Sequence, residues 1–234
     1  GNIDHDALRA LLLDRHDRAD GVNPQRVMLT PQVPPRRHFL SKETEQMHVC
    51  LGGIGMARND DRRFQLSVMD SLFGGSLSSR LFQEVREKRG LVYSVYSFSS
   101  MYAETGLTGL YFGCRPERLG AVMETVGREL LRLVREPVPE EELQRAKEHL
   151  KGRMILGLES TSSRMTRLGK GTITETEILS LDELAERIEA VTSEQVMELA
   201  GQVYHPASLS VVGIGADEDA FARAVPEDCL AGLM

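Results

Sequence analysis

Two hydrogen-bond donors, Arg86 and Tyr93, stand seven residues apart across Gly90 in the run Gly74–Tyr93, GGSLSSRLFQEVREKRGLVY. A guanidinium and a phenol both donate, and neither must change protonation at neutral pH. Pattern alone assigns the pair no role beyond donating hydrogen bonds. Each also has a plainer reading on pattern alone. Arg86 is a cation near a helix C-terminus, and Tyr93 is a strand aromatic that packs on a core. The other chemistry-bearing side chains are scattered. The six histidines are His5, His16, His38, His48, His149 and His205. No two are three or four residues apart, so none pair as ligands on one helical face. Ser78 and Ser79 have no His base placed near them by the sequence, and Ser78 reads as an N-cap rather than a nucleophile. Glu84 precedes Lys88 by four residues and reads as a helix-surface pair.

The elements around Arg86 and Tyr93 follow from local rules. Gly74 and Gly75 end one helix. A second, amphipathic helix opens at Ser78 and turns Leu81, Phe82 and Val85 to one face. Arg86, Lys88 and Arg89 fall in its last turn, where cations complement the helix dipole. Gly90 ends it and a β-rich segment begins at Tyr93. In a regular strand Tyr96 stands on the opposite face from Tyr93. A turn at Gly90 brings the two donors closer than the roughly 10 Å that seven residues of continuous helix would impose.

This stretch, the Gly-Gly with SSRLFQEVREKRGL and then YSVYSF, resembles the C-terminal half of the insulinase and mitochondrial-processing-peptidase (pitrilysin) family of zinc metallopeptidases. Weaker similarity runs from about residue 36 to about residue 215. In that family an Arg and a Tyr at this spacing hold the substrate peptide opposite the zinc, and Arg86 and Tyr93 match those positions. The family's zinc motif is an inverted H-x-x-E-H. It is missing here, and the doublet Glu148-His149 has no His at the needed offset. The resemblance therefore implies the substrate-binding half of a two-half zinc metalloendopeptidase, with no catalytic residue and no metal ligand in this chain. It implies zinc in a missing N-terminal half, carried on the same parent chain or on a partner subunit. The substrate is then a peptide or unfolded segment inside a chamber. Alone, the chain should hydrolyse nothing. The alternative is a catalytically inactive family member that acts as a partner or scaffold subunit.

Composition narrows the rest. The chain is long enough for one large domain, and its apolar and charged fractions, 41% and 27%, are ordinary for a globular protein. A net charge of −7 with no basic stripe argues against nucleic acid and anionic membranes. No apolar run is long enough to cross a membrane, and no signal peptide opens the sequence. A cytoplasmic location fits, and a homo-oligomer is left open. Cys50, Cys114 and Cys229 are too sparse for a disulfide framework. The first two sit in apolar strand patterns and read as buried thiols.

The remaining pattern reads as α+β: a mostly antiparallel sheet against a layer of helices, as in one half of the processing-peptidase-like fold. Strands are expected at 36–41, 46–54 and 207–213, and as a hairpin at 93–102 and 106–114. Helices are expected at 4–16, 61–73, 116–135, 139–158, 162–172 and after two capping boxes, Ser180-x-x-Glu183 and Thr192-x-x-Gln195. The 61–73 helix is apolar nearly all round and should be buried. GNIDHDAL near the start and GIGADEDAF near the end form a faint repeat. With the resemblance, residues 1–16 read as the tail of the missing half, 17–35 as an interdomain linker rich in Pro and Gly, and 36–234 as the domain itself.

Overall fold

A computed structural model describes residues 3–15 and 36–226. The linker assigned to 17–35, together with His16 and Cys229, lies outside the described residues.

The sheet has five strands: β1 (Arg37–Ser41), β2 (Met47–Gly55), β3 (Val92–Met101), β4 (Gly106–Cys114) and β5 (Ser210–Gly215). Their spatial order is β1-β5-β2-β4-β3, and only the β1–β5 pair is parallel. The hairpin β3–β4 is the one that the alternating pattern on either side of Glu104-Thr105-Gly106 predicts. Alternation assigns the faces. Met47, Val49 and Leu51 of β2 and Leu110, Phe112 and Cys114 of β4 are buried under helices. Their neighbours His48, Cys50 and Tyr111 are only half-buried on the other face. Cys114 is therefore the buried thiol expected, and burial pushes it up to about 12. Cys50 differs. Its position in β2 points it to the open face, and it is half-buried, with its thiol also raised by desolvation.

The helical layer contains α2 (Arg63–Phe73), α3 (Leu119–Arg135), α4 (Glu140–Gly157), α5 (Thr161–Ile173), α6 (Leu181–Glu189), α7 (Ser193–Val203) and α8 (Glu218–Ala224). A short N-terminal helix, α1 (His5–Arg15), precedes them in the chain. Helix α2 is buried as its sequence requires, with Leu66, Val68, Met69, Leu72 and Phe73 inside. Burying each such side chain stabilises the fold by about 1.5–3 kcal/mol. Both capping boxes form: Ser180 Oγ and Thr192 Oγ1 accept from the backbone N–H of Glu183 and Gln195. Pro139 departs from expectation by one place. It is the extended N-cap of α4 rather than its first helical residue. The final strand begins at Ser210, because Pro206–Ser208 forms a 3-10 turn first.

Gly74 ends α2, but not through a left-handed backbone. Its φ is −149°, and its N–H and that of Gly75 both donate to the Asp70 carbonyl. Glycine is needed there for space: a Cβ would lie 2.2 Å from the Ser97 backbone nitrogen in β3. The close approach lets Ser97 Oγ donate to Asp70 Oδ1 at 2.5 Å, which locks α2 to the sheet.

Candidate peptide-binding site

The segment that carries Arg86 is not the regular helix that its apolar spacing predicts. Phe82–Glu87 winds as a π-helix. Lys88 N–H donates to Gln83 C=O, and Leu91 N–H reaches back to Val85 C=O at 3.0 Å. Ser78 does not cap it. The Ser78 hydroxyl sits 3.2 Å from that of Ser76, and Ser79 supplies the turn by donating from its N–H and hydroxyl to the Ser76 carbonyl. A π-wound turn is uncommon and occurs often at functional sites, because it rotates a side chain away from its regular helical direction.

Three anchors hold this segment. Leu81 and Val85 are fully buried. Glu84 takes Lys88 and Arg89, each at 2.5 Å, as the four-residue spacing of Glu84 and Lys88 anticipates. These cations hold the Glu84 carboxyl below its ordinary range. Arg89 also donates to the Glu84 carbonyl near the helix end. The third anchor is one that sequence reading missed. Arg80 is buried and makes a two-pronged pair with Glu142 of α4, at 2.7 and 2.9 Å. The two residues are far apart in sequence, so no local spacing signalled the pair.

With Lys88 and Arg89 committed to Glu84, Arg86 is left facing rings. Its guanidinium carbon lies 4.8 Å from the Phe82 ring centre and 5.7 Å from that of Tyr93. It makes no ion pair among the described residues. Gly90 brings this about. Its φ of +59° lies in the left-handed region, so the chain reverses between the helix and β3. The two donors are therefore adjacent, as expected from a turn at this glycine.

The expectation for Tyr96 is corrected. The β3–β4 register slips between Val92 and Ser94. A β-bulge adds one residue and inverts the alternation beyond it. Val92 stays buried, while Tyr93 is 75% exposed and Tyr96 46% exposed. Both rings therefore stand in solvent instead of on opposite faces. Tyr96 stacks on Tyr111 with ring centres 5.0 Å apart, and the Tyr111 hydroxyl lies 2.7 Å from His48 Nδ1. Burial raises the Tyr111 phenol above its ordinary value. His48 is thus the half-buried histidine its strand position suggests. The pattern did not reveal the aromatic cluster, because the pairing of Tyr96 with Tyr111 is a matter of cross-strand register.

The family model for the peptidase M16 inactive domain matches residues 1–150. An uncharacterized zinc protease of Streptomyces coelicolor is 38% identical over 229 residues, which is 94% of this chain and 50% of that protein. One from Bacillus subtilis is 42% identical over 174 residues, covering 74% and 42%. Among solved structures, the M16 inactive domain from Pseudomonas fluorescens superposes with a TM-score of 0.73 at 22% identity, covering 82% of this chain and 47% of that one. A chain of complex III2 from Candida albicans superposes with a TM-score of 0.78 at 21% identity, covering 94% and 54%. The chain belongs to the M16 peptidase family and has the fold of its inactive domain. It spans about half the length of the curated relatives it matches.

The relatives' names imply zinc. Among the described residues, no three His, Cys, Asp or Glu side chains converge in a way that could hold a metal ion. The donor set of the described residues does not fit that metal. Among the described residues no helix is long and apolar enough to cross a membrane.

Proposed function

We propose that this domain is the substrate-binding half of a zinc metalloendopeptidase and that Arg86 and Tyr93 hold the peptide. The observation that carries this reading is their adjacency: a guanidinium 5.7 Å from an exposed tyrosine ring, both on the segment that Gly90 folds back. Both groups donate hydrogen bonds, so they suit the carbonyls of a bound backbone. The ring stack orients the guanidinium and leaves its N–H groups available, because a ring face takes charge but no N–H in plane. The zinc-bearing half supplies the hydrolytic chemistry. It is reached through the same parent chain or as a partner subunit, and the two halves enclose peptides or unfolded segments.

Helix α1 supports the same reading. Its leucines are exposed: Leu8 by 41% and Leu12 by 58%. As the tail of the N-terminal half, α1 would pack those leucines there, with 17–35 as the connection.

The test uses the parent enzyme with both halves. Arg86→Ala and Tyr93→Phe should each lower peptide turnover about tenfold or more, with zinc content and folding unchanged. Tyr93→Phe removes one hydroxyl and keeps the ring. Unaltered kcat/KM in both variants would refute the assignment and leave Arg86 as a cation at a helix end and Tyr93 as a strand aromatic.

A further inference from the structure

At the opposite end of β3 from Tyr93, Met101 forms part of the wall of a cavity of about 300 Å³. Eight residues of strand separate the two sites, about 26 Å. The cavity lies among β3, α5, α6 and the loop between the two helices. Four basic side chains line it: Arg58, Arg63, Arg167 and Lys170. Glu177 is its only carboxylate. That local surplus of positive charge stands against a chain of net charge −7.

The guanidinium groups are held in place mainly by neutral carbonyls. Arg58 Nη2 donates to Met101 C=O at 2.9 Å, Arg63 Nη1 to Asp60 C=O at 3.3 Å, and Arg167 Nη2 to Leu179 C=O. A carbonyl fixes a guanidinium but does not neutralise it. Among the described residues Glu177 pairs with Arg63 alone, at 3.5 Å, and its side chain is 60% exposed. Two further walls, Ile178 and Leu184, are apolar.

The loop over the cavity is held in a costly shape. Glu175 has a φ of +52°, the only positive φ on a residue other than glycine among the described residues. Such a conformation persists where surrounding contacts impose it. Asn59 Nδ2 donates to the Glu175 carbonyl, and Thr176 N–H donates to Gly171 C=O at 2.9 Å. Gly171 permits the fold-back, since a Cβ there would lie 2.9 Å from Ile178.

We propose that this cavity binds a carboxylate carried on an apolar chain, with Arg58, Arg167 and Lys170 taking the carboxylate and Ile178 and Leu184 taking the chain. Two sources share that chemistry: a free aliphatic acid, and the C-terminal end of a peptide with an apolar last residue. The proposal stands independently of the role of Arg86 and Tyr93. Guanidinium groups favour carboxylates through paired, charge-assisted hydrogen bonds.

Titration calorimetry on the chain at low salt tests it, with hexanoate and hexanol as probes. A hexapeptide ending in Leu is used in free-acid and C-terminal amide forms. Hexanoate should bind saturably and hexanol should not. Arg167→Gln should weaken hexanoate about tenfold, the effect of losing one charge-assisted contact. Lys170→Gln lies at an exposed position, leaves the core alone, and should weaken it several-fold. Preference for the free-acid peptide over its amide, lost in Lys170→Gln, identifies a peptide end as the source. Binding of hexanoate with no discrimination between the two peptides identifies a free acid. Equal binding of hexanol, absence of saturable binding by both carboxylates, or unchanged affinity in a folded Lys170→Gln variant would each overturn the proposal.

Discussion

Helices α1 and α8 begin from similar sequence and end in opposite environments. Each follows an acidic cluster, in GNIDHDAL and in GIGADEDAF, and an aspartate caps each: Asp4 Oδ1 accepts from Ala7 N–H, and Asp217 Oδ1 from Ala220 N–H. In α8, Phe221 is fully buried. Its ring centre lies 5.0 Å from that of Phe39 in β1, and the Arg37 guanidinium stacks on it at 4.9 Å. In α1, Leu8, at the matching place in the pattern, is exposed, as are Leu11 and Leu12. The same local code therefore makes a helix in both places. Only α8 has a sheet edge to cover. The difference teaches that capping and acidic first turns decide that a helix forms, while its stabilising burial depends on what lies beside it.

The largest expected effect tests the packed side of the contrast. Phe221→Ala should destabilise the chain by about 3–5 kcal/mol, as for truncating a fully buried aromatic. Urea unfolding measures this directly. A loss below about 1 kcal/mol would mean that α8 is no better anchored than α1.

Asp70 sharpens the meaning of packed. It lies in α2, the most enclosed helix, where burial raises its carboxyl above the ordinary range despite the hydrogen bond from Ser97. The folded state therefore holds this proton more tightly than the unfolded chain does. Stability contributed through Asp70 is greatest below the ordinary carboxyl pKa and falls as pH rises through the raised folded value. Asp70→Asn should remove that part of the decline. Unfolding free energies of both proteins from pH 4 to pH 8 are the measurement, and parallel pH curves would show that the carboxyl is not effectively buried.

The smallest effect is expected in α1. Leu11→Ala and Leu12→Ala should each change the stability of this chain by no more than about 0.5 kcal/mol, since both side chains are already exposed. The same substitutions in the two-half parent should cost more, because there the proposed partner covers them. Equal small effects in both settings would break the link between α1 and a second half.

Much of the fold was legible before any coordinates. Alternation gave the strands their two faces, the capping boxes opened α6 and α7 where they actually start, and the apolar circumference of α2 announced its burial. The candidate site was half legible. The resemblance to the metallopeptidase family singled out Arg86 and Tyr93, and Gly90 announced the reversal between them. The regular helix expected around Arg86 proved π-wound, Ser78 proved not to be its cap, and Cys50 proved half-buried on the open face. Tyr96 moved to the solvent side for one reason, a single-residue bulge. Period-two reasoning presumes an unbroken ladder, and one extra residue inverts every face beyond it.

The sequence by itself determined what depends on neighbours along the chain: where helices begin, which strand positions are apolar, and that no pair of histidines shares a helical face. Only the tertiary structure decided what depends on partners distant in sequence. Arg80 found Glu142 across 62 residues, Tyr96 found Tyr111 through strand register, and four cations from two distant stretches of chain met at one cavity. Short-range terms such as capping, periodicity and glycine freedom act within a turn or two of the chain. Burial and charge pairing depend on distance in space, and that distance is set only once the sheet and its helices have closed on one another.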